Sequence, residues 1–202
     1  MSYIGTQPNN VKQNIGIYNP NEILQLTKEG GWGGSLELIQ SQTVSSAVAQ
    51  VDFTSIKENI YDVHLLLISG LTVPAGSQNW GIRLYESEVL ETASVYQYAM
   101  QRFGTTFTER NSTSASEITY LATKDSTNVY QAYIYLYNLG DSSKYSFITN
   151  QSPVGVDGSN VFGYFGGGIY AVAETINALR ILNSTGANFT QGTAKLYGVK
   201  QI

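Results

Sequence analysis

From Ser35 onward, apolar and polar residues alternate with a period of two, the spacing that sends successive side chains to opposite faces of a β-strand. Residues 35–39 set Leu36 and Leu38 around Glu37. Residues 46–56 place Ala47, Ala49, Val51 and Phe53 on one face and Val48, Gln50, Asp52 and Thr54 on the other. Residues 60–71 are apolar on both faces, interrupted by Asp62 and His64, and residues 79–86 alternate through Trp80, Ile82 and Leu84. The same rhythm runs through 118–123, 129–138 and 145–149, the middle segment setting Tyr130, Ala132, Ile134 and Leu136 against Gln131, Tyr133, Tyr135 and Tyr137. It closes with 168–172, 176–182 and 193–199. About ten short strands separated by Gly, Ser, Asn and Asp turns predict an all-β fold, best matched by a jelly-roll-like two-sheet sandwich over residues 35–202.

Helix signals are sparse. Residues 94–103 (SVYQYAMQRF) suit either period, and residues 21–28 have room for one short helical turn. No strand–helix–strand unit is present, which removes the nucleotide-binding α/β folds. Residues 1–29 are rich in Asn, Gln and Pro, with isolated apolar residues including Tyr3, Ile4, Ile15, Ile17 and Tyr18. Gln7-Pro8 and Asn19-Pro20 interrupt any helix there. This reads as an extended N-terminal arm that orders against another surface. Gly30, Gly31, Gly33 and Gly34 then form a hinge or a plain linker.

Composition narrows the chemistry. The 202 residues include no Cys and one His, so there is no disulfide framework, zinc–thiolate site or thiol nucleophile, and any Ser-His-Asp triad must use His64. A net charge of −4 with scattered basic residues argues against nucleic acid as a partner. No apolar run approaches the roughly 18 residues of a membrane helix. The opening MSYIGTQPNN lacks a secretory signal, which points to synthesis and assembly in a cytoplasm. Ser, Thr, Asn and Gln make up about a third of the chain, so the Asn-x-Ser/Thr triplets at Asn111, Asn150, Asn183 and Asn188 arise by chance.

The candidate reaction centres are weak. His64 has Asp62 two positions earlier, but no G-x-S-x-G elbow supplies a nucleophile. Glu86, Glu88 and Glu91 lack the Asp/Asn alternation of a calcium loop, and Asp125, Asp141 and Asp157 sit among ordinary turn formers. The run 163–168 lacks the helix and Lys-Ser/Thr pair of a phosphate cradle, so a wide bulge or a sheet-to-sheet loop is expected there. No catalytic residue, metal or cofactor is expected. Fifteen tyrosines in a lightly charged chain are the more informative feature. Tyr96, Tyr98, Tyr130, Tyr133, Tyr135, Tyr137 and Tyr164 are candidates for exposed positions. Subunit contact, glycan contact and plain packing across strands all suit them.

Two ends of the chain carry a family resemblance. Met1-Ser2-Tyr3-Ile4-Gly5 before a polar, Pro-containing arm resembles the start of small structural proteins of tailed bacteriophages, marine and cyanobacterial ones among them. Residues 35–39 (SLELI), 47–54 (AVAQVDFT), 61–64 (YDVH) with 68–71 (ISGL), and 192–199 (GTAKLYGV) are similar to strands of their jelly-roll appendages. Residues 85–160 have no counterpart. The resemblance implies a virion component, a capsid decoration or knob or a short tail fibre. Other virion proteins would be its partners, a homo-oligomer (commonly a trimer) its state, and the arm its means of docking. Binding a host-surface glycan is the alternative.

Overall fold

The computed structural model describes residues 20–21, 24–25, 35–73, 78–124, 130–157 and 160–200. The chain divides into two units, Met1–Ser35 and Leu36–Ile202. In the first, Pro20, Asn21, Leu24 and Gln25 are helical, with Pro20 where a missing N–H costs a helix nothing. The arm residues Tyr3, Ile4, Pro8, Ile15, Ile17 and Tyr18, and the glycines of 30–34, lie outside the described residues.

The second unit is built of strands: β1 (Leu36–Val44), β2 (Gln50–Thr54), β3 (Val63–Thr72), β4 (Gln78–Glu86), β5 (Val89–Leu90), β6 (Tyr96–Phe103), β7 (Thr108–Ala115), β8 (Ile118–Lys124), β9 (Tyr130–Tyr137), β10 (Ser146–Asp157), β11 (Asn160–Tyr170), β12 (Ile176–Asn183) and β13 (Gln191–Val199). They form two antiparallel sheets. The large one has the order β1-β13-β3-β9-β10-β11-β6-β7, and the small one runs β2-β12-β4, with β5 and β8 on the far edge of β4. The quartets β1-β13-β3-β9 and β2-β12-β4-β8, between which the chain crosses at every step but the one from β4 to β8, have the connectivity of a jelly roll. Two additions, β5 to β7 and the β10–β11 hairpin, fall between its strands. Of these, β10, β11, β6 and β7 double the width of the large sheet.

The alternation read from the sequence places the core. Phe53, Ile82, Leu84, Ile118, Leu179 and Ile181 of the small sheet face Leu66, Ile68, Ile134, Leu136, Ile148 and Leu196 of the large one, all buried. Trp80 meets Phe189 edge-on at 5.8 Å, and Tyr96 lies 5.2 Å from Tyr170. Residues 94–103 resolve their double period as a strand, since Tyr96 and Met100 are buried between the sheets.

Three segments differ from expectation. The run 163–168 is neither bulge nor loop but the body of β11, paired residue for residue with β6. Its glycines allow close packing: a Cβ on Gly168 would lie 2.9 Å from the Ile118 side chain, and Gly166 has φ +155°. β7 (TERNSTSA) shows no apolar alternation because it is a sheet edge, where polar residues suit both faces. β10 continues past Thr149 because its inward polar residues find partners. Asn150 donates to the Leu121 carbonyl at 3.2 Å, and the Ser152 hydroxyl accepts the Tyr164 N–H at 3.0 Å.

His64 is fully buried on β3. Its Nε2–H donates to the Ile56 carbonyl at 2.9 Å, which leaves Nδ1 as a bare acceptor with no partner. Tyr61 packs edge-on at 6.0 Å. Desolvation lowers the imidazole pKa, against smaller raising effects from the Ile56 carbonyl and the charge of Glu58. The ring thus joins no carboxylate, and the candidate triad does not form.

Burial of this neutral ring fixes a pH dependence. Below its ordinary value of about 6.5 the unfolded chain takes up a proton that the folded chain resists, so stability must fall as pH drops through that region. With a single histidine in the sequence, urea unfolding between pH 7 and 5 should show this slope in the native protein. His64→Leu should flatten it, and parallel curves for the two proteins would contradict the assignment.

Candidate functional site

The tyrosines separate by pleat. On β9, Ala132, Ile134 and Leu136 point into the core, so Tyr133, Tyr135 and Tyr137 stand on the opposite, outer face of the large sheet. Tyr133 is 39% exposed, and Tyr135 and Tyr137 are half-buried. Tyr133 meets Tyr135 edge-on at 6.4 Å, and Tyr135 stacks on Tyr137 at the same distance. The Tyr133 hydroxyl bonds to the Gln151 side chain, and that of Tyr137 lies 3.3 Å from the Thr149 hydroxyl.

Two expected surface tyrosines are instead core residues. Tyr96 is fully buried, its hydroxyl accepting the Leu84 N–H at 2.9 Å and donating to the Glu91 carbonyl at 3.3 Å. Burial holds its pKa above the ordinary phenol value. Tyr164, 4% exposed, packs beside Tyr120 at 5.7 Å. The cause is phase: both occupy inward positions of strands that the sequence pattern did not orient. Tyr98 is half-buried on the inner side, 6.0 Å from Tyr120. The side chain of Tyr130 lies outside the described residues.

The carboxylates diverge. Glu86 accepts the Tyr170 hydroxyl at 2.9 Å, Glu91 caps the Ala93 N–H, and Glu88 sits in the β4–β5 turn with its N–H bonded to Asn177. Glu88 and Glu58 line an open cleft of about 460 Å³ with Tyr85, Asn177, Thr54 and Ser55. Beside it, Asp52 receives two hydrogen bonds from Arg180 at 2.7 and 2.9 Å, and the guanidinium lies over Tyr85. Asp141 is a turn former: it accepts from Ser143 and pairs with Lys144, which holds its carboxyl well below the usual range. Asp125 and the side chain of Asp157 lie outside the described residues. Among the described residues, no three His, Asp or Glu side chains converge in a way that would hold a metal ion.

The most extensive feature is the outer face itself. Beyond the tyrosines it presents Leu36, Leu38, Phe147 and Phe165, each more than 40% exposed. Pairing registers arrange the face in rows. One row, from edge to edge, reads Ser41, Lys195, Leu67, Tyr133, Gln151, Phe165, Gln101, Glu109. The next reads Leu38, Tyr197, Leu65, Tyr135, Thr149, Gly167, Ala99, Asn111. In the second row the large side chains lie on the β1 side and the small ones on the β7 side. The small ones floor an open trough of about 550 Å³ flanked by Phe147 and Ile169. A lightly charged sheet face of this breadth, with large apolar residues exposed among uncharged polar ones, is suited to contact with another surface.

Against the family models, the curated proteins and the solved structures, the chain finds no match.

The two kinds of tyrosine should respond differently to loss of the hydroxyl. Tyr96→Phe strips a buried N–H of its acceptor and should cost about 1–3 kcal/mol of unfolding free energy. Tyr133→Phe, at the surface, should stay within about 0.5 kcal/mol. Equal losses in urea titrations would refute this division of the tyrosines.

Proposed function

We propose that this chain is a non-enzymatic structural component of a tailed-phage virion: a jelly-roll appendage, as capsid decoration or tail fibre, docked to the particle by its N-terminal arm. The observation that carries the reading is the wide, lightly charged outer face of the large sheet, with Leu36, Leu38, Phe147 and Phe165 exposed on it, on a body of jelly-roll connectivity, an architecture that serves capsid and lectin domains alike. The resemblance of both chain ends to phage appendage proteins supports it, as does the engagement of the Glu86 and Glu91 carboxylates by separate structural partners, the Tyr170 hydroxyl and the Ala93 N–H. On this reading the chain works in the particle, after assembly in the host bacterial cytoplasm, with other virion proteins as neighbours.

Glycan binding for host adsorption is the second reading, favoured by the adjoining rings of Tyr133, Tyr135 and Tyr137. Rings on an open sheet face can stack on sugars.

In lysates that contain the assembled particles, the native protein should co-sediment with intact virions and appear in their density. Lacking residues 1–29, it should remain soluble and unincorporated. Recovery of the full chain only in the soluble fraction would overturn the virion role, and incorporation of the truncated chain would overturn the docking role of the arm. Glycan-array binding abolished by Tyr133→Ala would favour the second reading, and a blank array would remove it.

A further inference from the structure

The order of residues across the outer face points to its occupant. A two-fold axis parallel to the strands, passing between β9 and β10, divides the large sheet into four strands and four strands. Placing a second copy face to face about that axis lays each row on its own reverse. In the row that holds Tyr133, Leu67 then lies on the partner's Phe165, and Tyr133 on the partner's Gln151. Lys195 meets the partner's Gln101, one strand short of the partner's Glu109. That gap is about 5 Å, within reach of a lysine's flexible four-carbon stem.

In the neighbouring row, Tyr197, Leu65 and Tyr135 lie on the partner's Ala99, the partner's Gly167 and the partner's Thr149. The ridge of one copy thus enters the trough of the other, twice. Lys195 and Glu109 are the only charged side chains in the two rows. They have opposite signs and lie toward opposite edges on the same row, so the reversal brings them together at both ends of the contact. Both are exposed.

The area is adequate as well. Eight strands at about 4.8 Å with two full side-chain rows about 6.8 Å apart, and a third through Val63, Tyr137, Phe147, Ile169 and Gln97 on five of the strands, cover about 700 Å² per copy. A standard stable interface takes about 800 Å² per partner. From this coincidence of bulk, charge and area, we infer that the outer face of the large sheet is the interface of a two-fold homodimer. Lys195 and Glu109 set its register, and the trough over Thr149, Gly167 and Ala99 receives Tyr135 and Tyr197 of the second copy, the two rings that flank the covered Leu65.

This pairing uses the same outer face as the virion reading but is tested on the isolated full-length chain, so its failure and the failure of that reading are told apart. Sedimentation equilibrium at micromolar concentration should give twice the chain mass of 22.1 kDa. Lys195→Glu and Glu109→Lys should each weaken association about tenfold or more through like-charge contacts at both ends. The double exchange should restore it to near the native value. Ala99→Trp, at an exposed position, fills the trough and should give a monomer with an unchanged circular-dichroism spectrum. A native protein that is monomeric or trimeric overturns the proposal. So does a double exchange that fails to recover association, or a dimer indifferent to Ala99→Trp. Virion incorporation would be measured separately, so either result leaves the other standing.

Discussion

A pleated sheet has two faces, and the small sheet can bury only one face of the large one. The rest of the structure follows from that constraint. The inward side chains, from Leu66 and Ile134 to Ile148 and Leu196, meet Phe53, Ile82, Leu84 and Leu179 and leave water. At about 25 cal/mol per Å² of apolar surface, this shared layer is the main force holding the strands in register. Register matters because a slip of one residue would exchange the two faces throughout a strand. The outer face is therefore fixed as firmly as the core, although nothing in the described unit needs it to be apolar.

What the sequence made legible is what period-two alternation can encode. β3 reads as apolar on both faces because both are crowded: Leu66 and Ile68 lie in the core, while Leu65 is covered among Tyr197 and Tyr135 of the neighbouring strands. β9 gave its two faces correctly for the same reason. Illegible elements are those whose side chains answer to other demands. β7 is polar as an edge, β11 is Gly-rich because Ile118 and Met100 press on its backbone, and β10 turns Asn150 and Ser152 inward to satisfy neighbouring main-chain groups. With residues 150–157 of β10 and 160–167 of β11 unassigned, nothing in the alternation fixed the phase of Tyr164, and the ambiguous period of residues 94–103 hid that of Tyr96.

The outer-face rows were less legible still. They require knowing that Lys195, Tyr133, Phe165 and Glu109, far apart in the chain, share one line across eight strands. Alternation assigns a residue to a face but says nothing about its neighbour on the next strand, which depends on topology and on bulges such as that between Leu38 and Gln40.

The origin of the two halves bears on how such a face arises. Leu38, Tyr197, Leu65 and Tyr135 stand on β1, β13, β3 and β9, the strands of the jelly roll itself. Thr149, Gly167, Ala99 and Asn111 stand on β10, β11, β6 and β7, the strands added to it. A four-strand sheet with the bulky half alone would present a convex ridge with no matching surface on an identical copy. Adding four strands supplies the recess in the row of Thr149, Gly167, Ala99 and Asn111, and because the additions equal the original in number, ridge and recess lie on either side of the sheet's midline. Self-complementarity of this kind is a property of the widened sheet as a whole. The crowding that keeps Gly166 and Gly168 as glycines in β11 therefore maintains a strand on which both the core and the outer recess depend.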